Sequence, residues 1–415
     1  MSRGSRAAEK PIVGLFPAPS EAPLFEDTPL VMVEDADALD DMLQLLASET
    51  VIGIDTESDS SYAYQEKVCL IQVSNKDTDF IIDPLAIDDL SPLGPILADP
   101  AITKVLHGAD YDIVCLKRDF EFELRGVFDT LIAAQLLGME RIGLADLVER
   151  FFGIELDKTY QRHNWALRPL KPEHLDYARG DTHWMAALRE LVTWKLQEVG
   201  RIRHHEEECQ ILQQREWGGR TADPNAFLSM KKANTLDDDA LRVLRHIYAY
   251  REGEAEKMNR PVYKVIPNEV LLTIARKAPE SRAALTDLFP RKRAMLRRHA
   301  SGLAAAVRTS LDDDRPLPKK KKPRSKPRKG PKTKLRGRAA DRAFAALKDW
   351  RRDLLDARDD LTPFNVASNG ILKLVSAVRP VDKDELAAIP EVRAWQVEDW
   401  GDEILAVLDE VAPLD

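Results

Sequence analysis

The sequence predicts an α/β domain, a mixed sheet covered by helices, followed by two all-helical domains. Three observations predict it. Three apolar stretches of strand character crowd into residues 51–83, too close together for crossover connections, and so form an antiparallel meander. From residue 91 onward, helical patterns and a further strand alternate, which suggests an α/β layer architecture. Beyond residue 236, apolar residues recur only at helical spacing.

Residues 1–28, rich in Pro, Ala, Ser and Glu, read as a loose tail. The α/β domain is placed at 29–205. Leu30–Val33 is a short strand, and Asp35 or Asp37 caps a helix to about Ala47 with Leu39, Met42, Leu45 and Leu46 as its apolar stripe. Strands follow at Val51–Glu57, Val68–Ser74 and Asp79–Asp83. A helix near Ser91–Ala98 leads to a strand at Thr103–His107. Helices then span about Ala109–Phe120, Thr130–Leu137, Leu144–Phe152 and, as one long element, Pro172–Val199. Residues 206–235 form a connection. The second block, 236–311, carries Leu241, Leu244 and Ile247, then Val270, Leu271 and Ile274, then Leu285 and Leu288. Residues 312–339 form a disordered linker, punctuated by prolines and bearing only basic charges from Lys319 to Arg338. The third block, 340–412, copies the plan of the second: a long first helix, an asparagine at the start of the middle helix, and a proline before the last part. A degenerate internal repeat follows.

A length of 415 residues suits two to four domains, and a 44% apolar share gives each a core. No run of 18 apolar residues exists, so no transmembrane helix is expected. The basic start is followed by no apolar core of a secretory signal. Cys69, Cys115 and Cys209 are too few and too far apart for a disulfide framework or a zinc knuckle, which fits a reducing cytosol. A net charge of −9 argues against indiscriminate polyanion binding, yet the charge is unevenly spread.

Carboxylates carry the chemistry. In Val51-Ile52-Gly53-Ile54-Asp55-Thr56-Glu57, period 2 puts Asp55 and Glu57 on one face where an apolar strand runs out. Two charges that close repel by roughly 4 kcal/mol at an effective dielectric of about 20. The pair needs a proton, a basic partner or a metal ion. Alone it is weak: with 70 acids in 415 residues, acid-x-acid is expected about 12 times by chance. Asp112 falls on the apolar face of its helix with Ala109, Ile113, Leu116 and Phe120. Asp181 shares a face with Tyr177, Trp184 and Leu188. One buried acid reads as a hydrogen-bonded core residue; two on separate helices, added to the pair, point to a cation site. Four carboxylates without cysteine favour magnesium or manganese. Two such ions about 4 Å apart can clamp an in-line displacement at phosphorus. Tyr177 is placed to orient the attacking water. His107 reads as structural and Asp129 as a helix cap. Gln161, His163 and Arg168 are candidates for lining the substrate channel.

Asp55-Thr-Glu57, His107-Gly-Ala-Asp-Tyr-Asp112 and Tyr177-Ala-Arg-Gly-Asp181 resemble the three exonuclease motifs of the DEDD superfamily, tyrosine subgroup. Phe128-Asp-Thr130, Gly143-Leu-Ala-Asp-Leu-Val148 and Lys158-Thr-Tyr-Gln-Arg162 resemble ribonuclease D and its exosome-associated relatives, and the helical blocks resemble HRDC domains. The resemblance implies a ribonuclease H-like exonuclease fold followed by two HRDC-like domains. It implies a 3′-5′ exoribonuclease acting on RNA with a free 3′ end, such as a tRNA precursor, and releasing nucleoside 5′-monophosphates; the carboxylate set supplies the two-metal hydrolysis, and a cytoplasmic location is expected. Asp55, Glu57, Asp112 and Asp181 would hold the metals, with Tyr177 as the fifth catalytic residue. The basic linker would tether RNA. A monomer without membrane contact is expected. The rivals are a DNA 3′-5′ exonuclease and a non-catalytic nucleic-acid-binding scaffold.

Overall fold

The computed structural model describes residues 25, 27–219, 223–290, 293–318 and 331–413. The expected tail therefore lies almost wholly outside the described residues, as does 319–330 of the expected linker. The chain begins with β1 (Leu30–Val33), α1 (Ala36–Leu46), β2 (Val51–Ser58), β3 (Val68–Ser74) and β4 (Asp79–Ile82). Next come α2 (Gly94–Ala98), β5 (Thr103–Leu106), α3 (Asp110–Phe120), β6 (Val127–Asp129), α4 (Thr130–Leu136) and α5 (Leu144–Phe152). The domain is completed by α6 (Pro172–Gly180), α7 (Met185–Glu198) and α8 (Ile202–Leu212).

The six strands form one sheet in the order β1-β4-β3-β2-β5-β6. The meander β2-β3-β4 is antiparallel, as its short turns require. β1 pairs parallel with β4, and β5 and β6 extend the other side in parallel. This is the mixed sheet that the sequence predicts. Its centre is β2, whose odd and even residues face opposite layers. Ile52 and Ile54 pack with Leu39, Met42, Ile113 and Leu116 beneath α1 and α3. On the opposite face Val105 packs with Met185, Leu188 and Val192 of α7. Leu70 and Ile81 there meet Trp165 and Ala178.

Two elements differ from expectation. The long helix expected over 172–199 is two helices, broken by a turn at 181–184. Helix α8 runs through the expected domain limit at 205, and its Cys209 and His205 pack against β6, a three-residue strand too short to read from periodicity. Leu45 of the expected α1 stripe faces solvent.

The remaining helices form two cores. The first holds α9 (Asp238–Lys257), α10 (Val262–Val265), α11 (Asn268–Lys277), α12 (Arg282–Leu288) and α13 (Arg293–Leu311). The second holds α14 (Arg338–Ala357), α15 (Pro363–Val366), α16 (Asn369–Val378), α17 (Lys383–Ala387) and α18 (Ala394–Val411). A shared device marks the repeat. Arg251 of α9 donates to the Ile266 carbonyl and to Asn268 at the start of α11; Arg351 of α14 donates to the Ala367 carbonyl and to Asn369 at the start of α16. Each third helix ends on a left-handed residue, Ala278 or Arg379.

Both cores touch the sheet domain. Asn259 Oδ1 accepts the backbone N–H groups of Tyr64 and Gln65, each at 3.0 Å. On the far side Asn365 donates to the Leu136 carbonyl, Asp360 pairs with Arg201, and Trp395 stacks on His204.

Candidate active site

β2 carries Asp55 and Glu57 toward the α6–α7 layer. Gly53, one step earlier on that face, lets the turn after α6 come close: a Cβ there would stand 2.8 Å from the Thr182 carbonyl oxygen and 2.9 Å from Met185 Cβ. That turn presents Asp181. A carboxylate oxygen from each of Asp55, Glu57 and Asp181 lies within 4.8 Å of the other two.

The turn is tied down from beneath. Asp79 on β4 accepts Arg179 Nε at 2.9 Å and Nη2 at 2.6 Å, and His183 Nδ1 lies 2.9 Å from the same carboxylate. Ser74 donates to Asp79 at 2.6 Å and meets the Thr182 hydroxyl at 2.7 Å. Residues 179, 182 and 183, on both sides of Asp181, are thus anchored to β3 and β4. Burial alone would raise the Asp79 pKa, but His183, Ser74 and Arg179 outweigh it and hold the carboxyl below its usual range.

Asp112 reaches the strand end from the opposite layer. It is buried in the first turn of α3, and its Oδ1 accepts the Thr56 hydroxyl at 2.5 Å. Asp129 positions that turn. Its carboxylate accepts Gly108 N and Ala109 N at the approach to α3, and Leu131 N and Ile132 N at the start of α4. Asp129 is the helix cap expected of it, and also a clasp between two elements. His107 Nδ1 sits 2.9 Å from the Thr130 hydroxyl, a structural contact.

The charges are unrelieved. Burial first, then Asp112, Asp181 and Glu57, push the Asp55 carboxyl well above its usual range. Burial and the charges of Asp181 and Asp112 raise Glu57 to about 9. Asp181 rises to about 7 through burial and Asp112; burial takes Asp112 to about 6 against the lowering hydrogen bond from Thr56. Among the described residues no lysine or arginine pairs with Asp55, Glu57 or Asp181. Oxygen donors alone, clustered and lacking a basic counter-charge, fit hard divalent cations.

Tyr177 stands one turn before Asp181 on α6, half-buried, its ring 5.7 Å from Trp165 and 6.1 Å from Tyr160. Burial and the Asp181 charge raise its hydroxyl pKa, so the phenol stays protonated at neutral pH. Tyr177 and Asp181 also line a cleft of about 520 Å3, with Phe25, Ile154, Leu156 and Trp184 among its other walls.

The expected channel residues divide. Gln161 is exposed, next to Tyr160. Arg168 is not available to a phosphate. Its guanidinium donates to both oxygens of Asp83 at 2.5 and 2.7 Å and to the carbonyls of Trp165, Leu167 and Cys69, which uses all five N–H groups. It is a structural clamp between the 165–168 segment and the sheet, and the substrate role expected of it is corrected. His163 is enclosed by the rings of Tyr160, Trp165 and His174. Thr56, Gly53 and Asp79 position the acids with little signal in the sequence, which offers only the adjacency of Gly53 and Thr56 to Asp55 and Glu57.

The family model for the 3′-5′ exonuclease domain, DNA_pol_A_exo1, matches residues 30–197, and the HRDC domain model matches twice, at 240–307 and 340–408. The sequence is 29% identical to ribonuclease D of Gluconacetobacter diazotrophicus over 392 residues, 91% of this chain and 93% of that one. It is 31% identical to the exosome complex component 10 homolog of Caenorhabditis elegans over 258 residues, 61% of this chain and 30% of that one. The chain spans between 29% and 47% of the length of the RRP6-like and exosome-component relatives it matches. Among solved structures it resembles that of Escherichia coli RNase D, an exoribonuclease involved in structured RNA processing. The TM-score is 0.65 at 25% identity, covering 92% of this chain and 99% of that one.

Proposed function

We propose that this chain, which belongs to the ribonuclease D-type 3′-5′ exonucleases with HRDC domains, hydrolyses RNA from a free 3′ end to nucleoside 5′-monophosphates. The observation that carries the reading is the group of three carboxylates without a basic partner, with Tyr177 one helical turn from its third member. Asp55, Glu57 and Asp181, joined by Asp112 across β2, hold divalent cations, Mg2+ or Mn2+. When bound, these cations ease deprotonation of the attacking water and neutralise charge on the leaving oxygen. The protein's own part is placement. Gly53 and the Asp79 network set the height of Asp181, and Thr56 sets the direction of Asp112. Tyr177, a neutral phenol, hydrogen-bonds and orients the attacking water rather than taking its proton. Gln161, exposed beside Tyr160, would contact the incoming strand.

The substrate is a structured RNA, such as a tRNA precursor, trimmed by a cytoplasmic monomer. The RNase D likeness supports the RNA class. No described helix is long and apolar enough to cross a membrane. The test is purified protein with matched 5′-labelled RNA and DNA, with and without Mg2+ or Mn2+. Metal-dependent shortening of RNA from the 3′ end is expected. Activity that survives chelator overturns the metal assignment, preference for DNA replaces the substrate, and binding without hydrolysis supports a scaffold instead.

A further inference from the structure

β2 does not end at the carboxylates. Ser58 follows Glu57, and the chain turns through residues 59–63 before β3. Two exposed tyrosines hold this turn from different domains. Tyr111, in the first turn of α3 beside Asp112, is 44% exposed, and its hydroxyl lies 3.2 Å from Ser58 Oγ. Tyr263 of α10 is 53% exposed, and its hydroxyl donates to the Ser61 carbonyl at 3.1 Å. The next residue of α10, Lys264, places Nζ 3.9 Å from the centre of the Tyr62 ring.

A single exposed aromatic is ordinary. Here two rings are fixed by their hydroxyls while remaining substantially exposed. Their anchor points are three residues apart, at most about 10 Å of chain. The strip opens directly at Glu57 and carries a cation at its outer end. Exposed aromatic rings with a lysine nearby supply what a single-stranded nucleic acid needs for base stacking and phosphate contact.

We propose that Tyr111 and Tyr263 form a stacking strip for the unpaired nucleotides just upstream of the scissile bond, with Lys264 of the first HRDC domain contacting their backbone. The proposal rests on the nuclease reading above and makes that HRDC domain part of the substrate track. It requires several unpaired nucleotides at the 3′ end and is indifferent to their sequence, since every base has a stacking face.

The test uses the full chain. An oligoribonucleotide with 2-aminopurine near its 3′ end, bound in EDTA, reads stacking without hydrolysis. Tyr111→Ala and Tyr263→Ala are each expected to lose the fluorescence quench and to weaken binding roughly 5- to 150-fold, the equivalent of one lost stack. Tyr111→Phe and Tyr263→Phe keep the stacking ring but lose its anchor, and are expected to retain the quench with a clearly smaller loss of binding than the alanine variants. Lys264→Met lowers the slope of log affinity against log salt by about one. In magnesium, the ratio of kcat/KM on RNA to kcat/KM on a nucleoside 5′-monophosphate p-nitrophenyl ester should fall by the same factor in the alanine variants. Binding within twofold of wild type in both alanine variants overturns the strip, as does an equal loss in the phenylalanine variants. Wild-type protein that hydrolyses neither substrate overturns the nuclease reading, and the fluorescence result still decides the strip.

Discussion

Thr56 donates its hydroxyl to Asp112 at 2.5 Å, joining a residue of the central strand to the carboxylate of a helix in one layer while Asp55 and Glu57 face the other. Hydrogen bonds to charged groups contribute about 1.5–3 kcal/mol. Thr56→Val keeps the shape and removes the bond. Divalent-metal affinity, measured by calorimetry, should fall roughly tenfold or more while the far-UV circular dichroism is retained.

The repelling carboxylates make stability and metal occupancy oppose one another as pH changes. Glu57 and Asp181 hold protons up to about 9 and about 7, against ordinary values of 4.5 and 3.8. Between these limits the native metal-free state binds more protons than the unfolded state, so stability falls as pH rises. A melting temperature in EDTA should therefore decline from about pH 5 to about pH 9, and saturating Mg2+ should flatten the decline. Asp55→Asn should raise the melting temperature in EDTA by roughly 2–4 °C. The same change should cut RNA hydrolysis at least about a hundredfold.

Gly53→Ala tests the close approach beneath Asp181. The new methyl would meet a backbone carbonyl at 2.8 Å, which cannot rotate away. The α6–α7 turn must move, at a cost of about 1–3 kcal/mol. Because Asp181 rides on that turn, kcat should drop by more than the stability loss alone predicts, measured on protein held well below its melting temperature.

Asp79→Ala removes the base of the network and leaves Arg179 and His183 buried without their carboxylate. Breaking one side of such a group costs about 3–5 kcal/mol. Chemical denaturation should register the loss. Metal affinity should fall as well, although Asp79 itself stands outside the carboxylate group.

Much of this arrangement was legible in the chain. The apolar runs of β2, β3 and β4 and their short turns dictate the meander, and the helical spacing of 236–412 dictates the two cores. The acids of β2 and the α6–α7 turn could be paired because period 2 and period 3.6 place side chains by counting. The break at 181–184 had one signal, Gly180 at the end of α6, but the turn itself is set by contacts of 179, 182 and 183 with distant strands. Arg168 failed for a related reason. An arginine in a polar loop suits phosphate equally well, and only the fold brings Asp83 and the Cys69 carbonyl to it.

Asp129 ends the edge strand β6, and its single carboxylate fastens the start of α3 to the start of α4. β6 is a buried strand of three residues, paired with β5 on one side and held by Cys209 and His205 of α8 on the other. When it opens, the amides of Gly108 and Ala109 lose their acceptor, and the turn bearing Asp112 loses its footing. One carboxylate at the rim of the sheet thus holds the turn that bears Asp112, so that a local opening at β6 would disturb the acid cluster without unfolding the rest of the molecule.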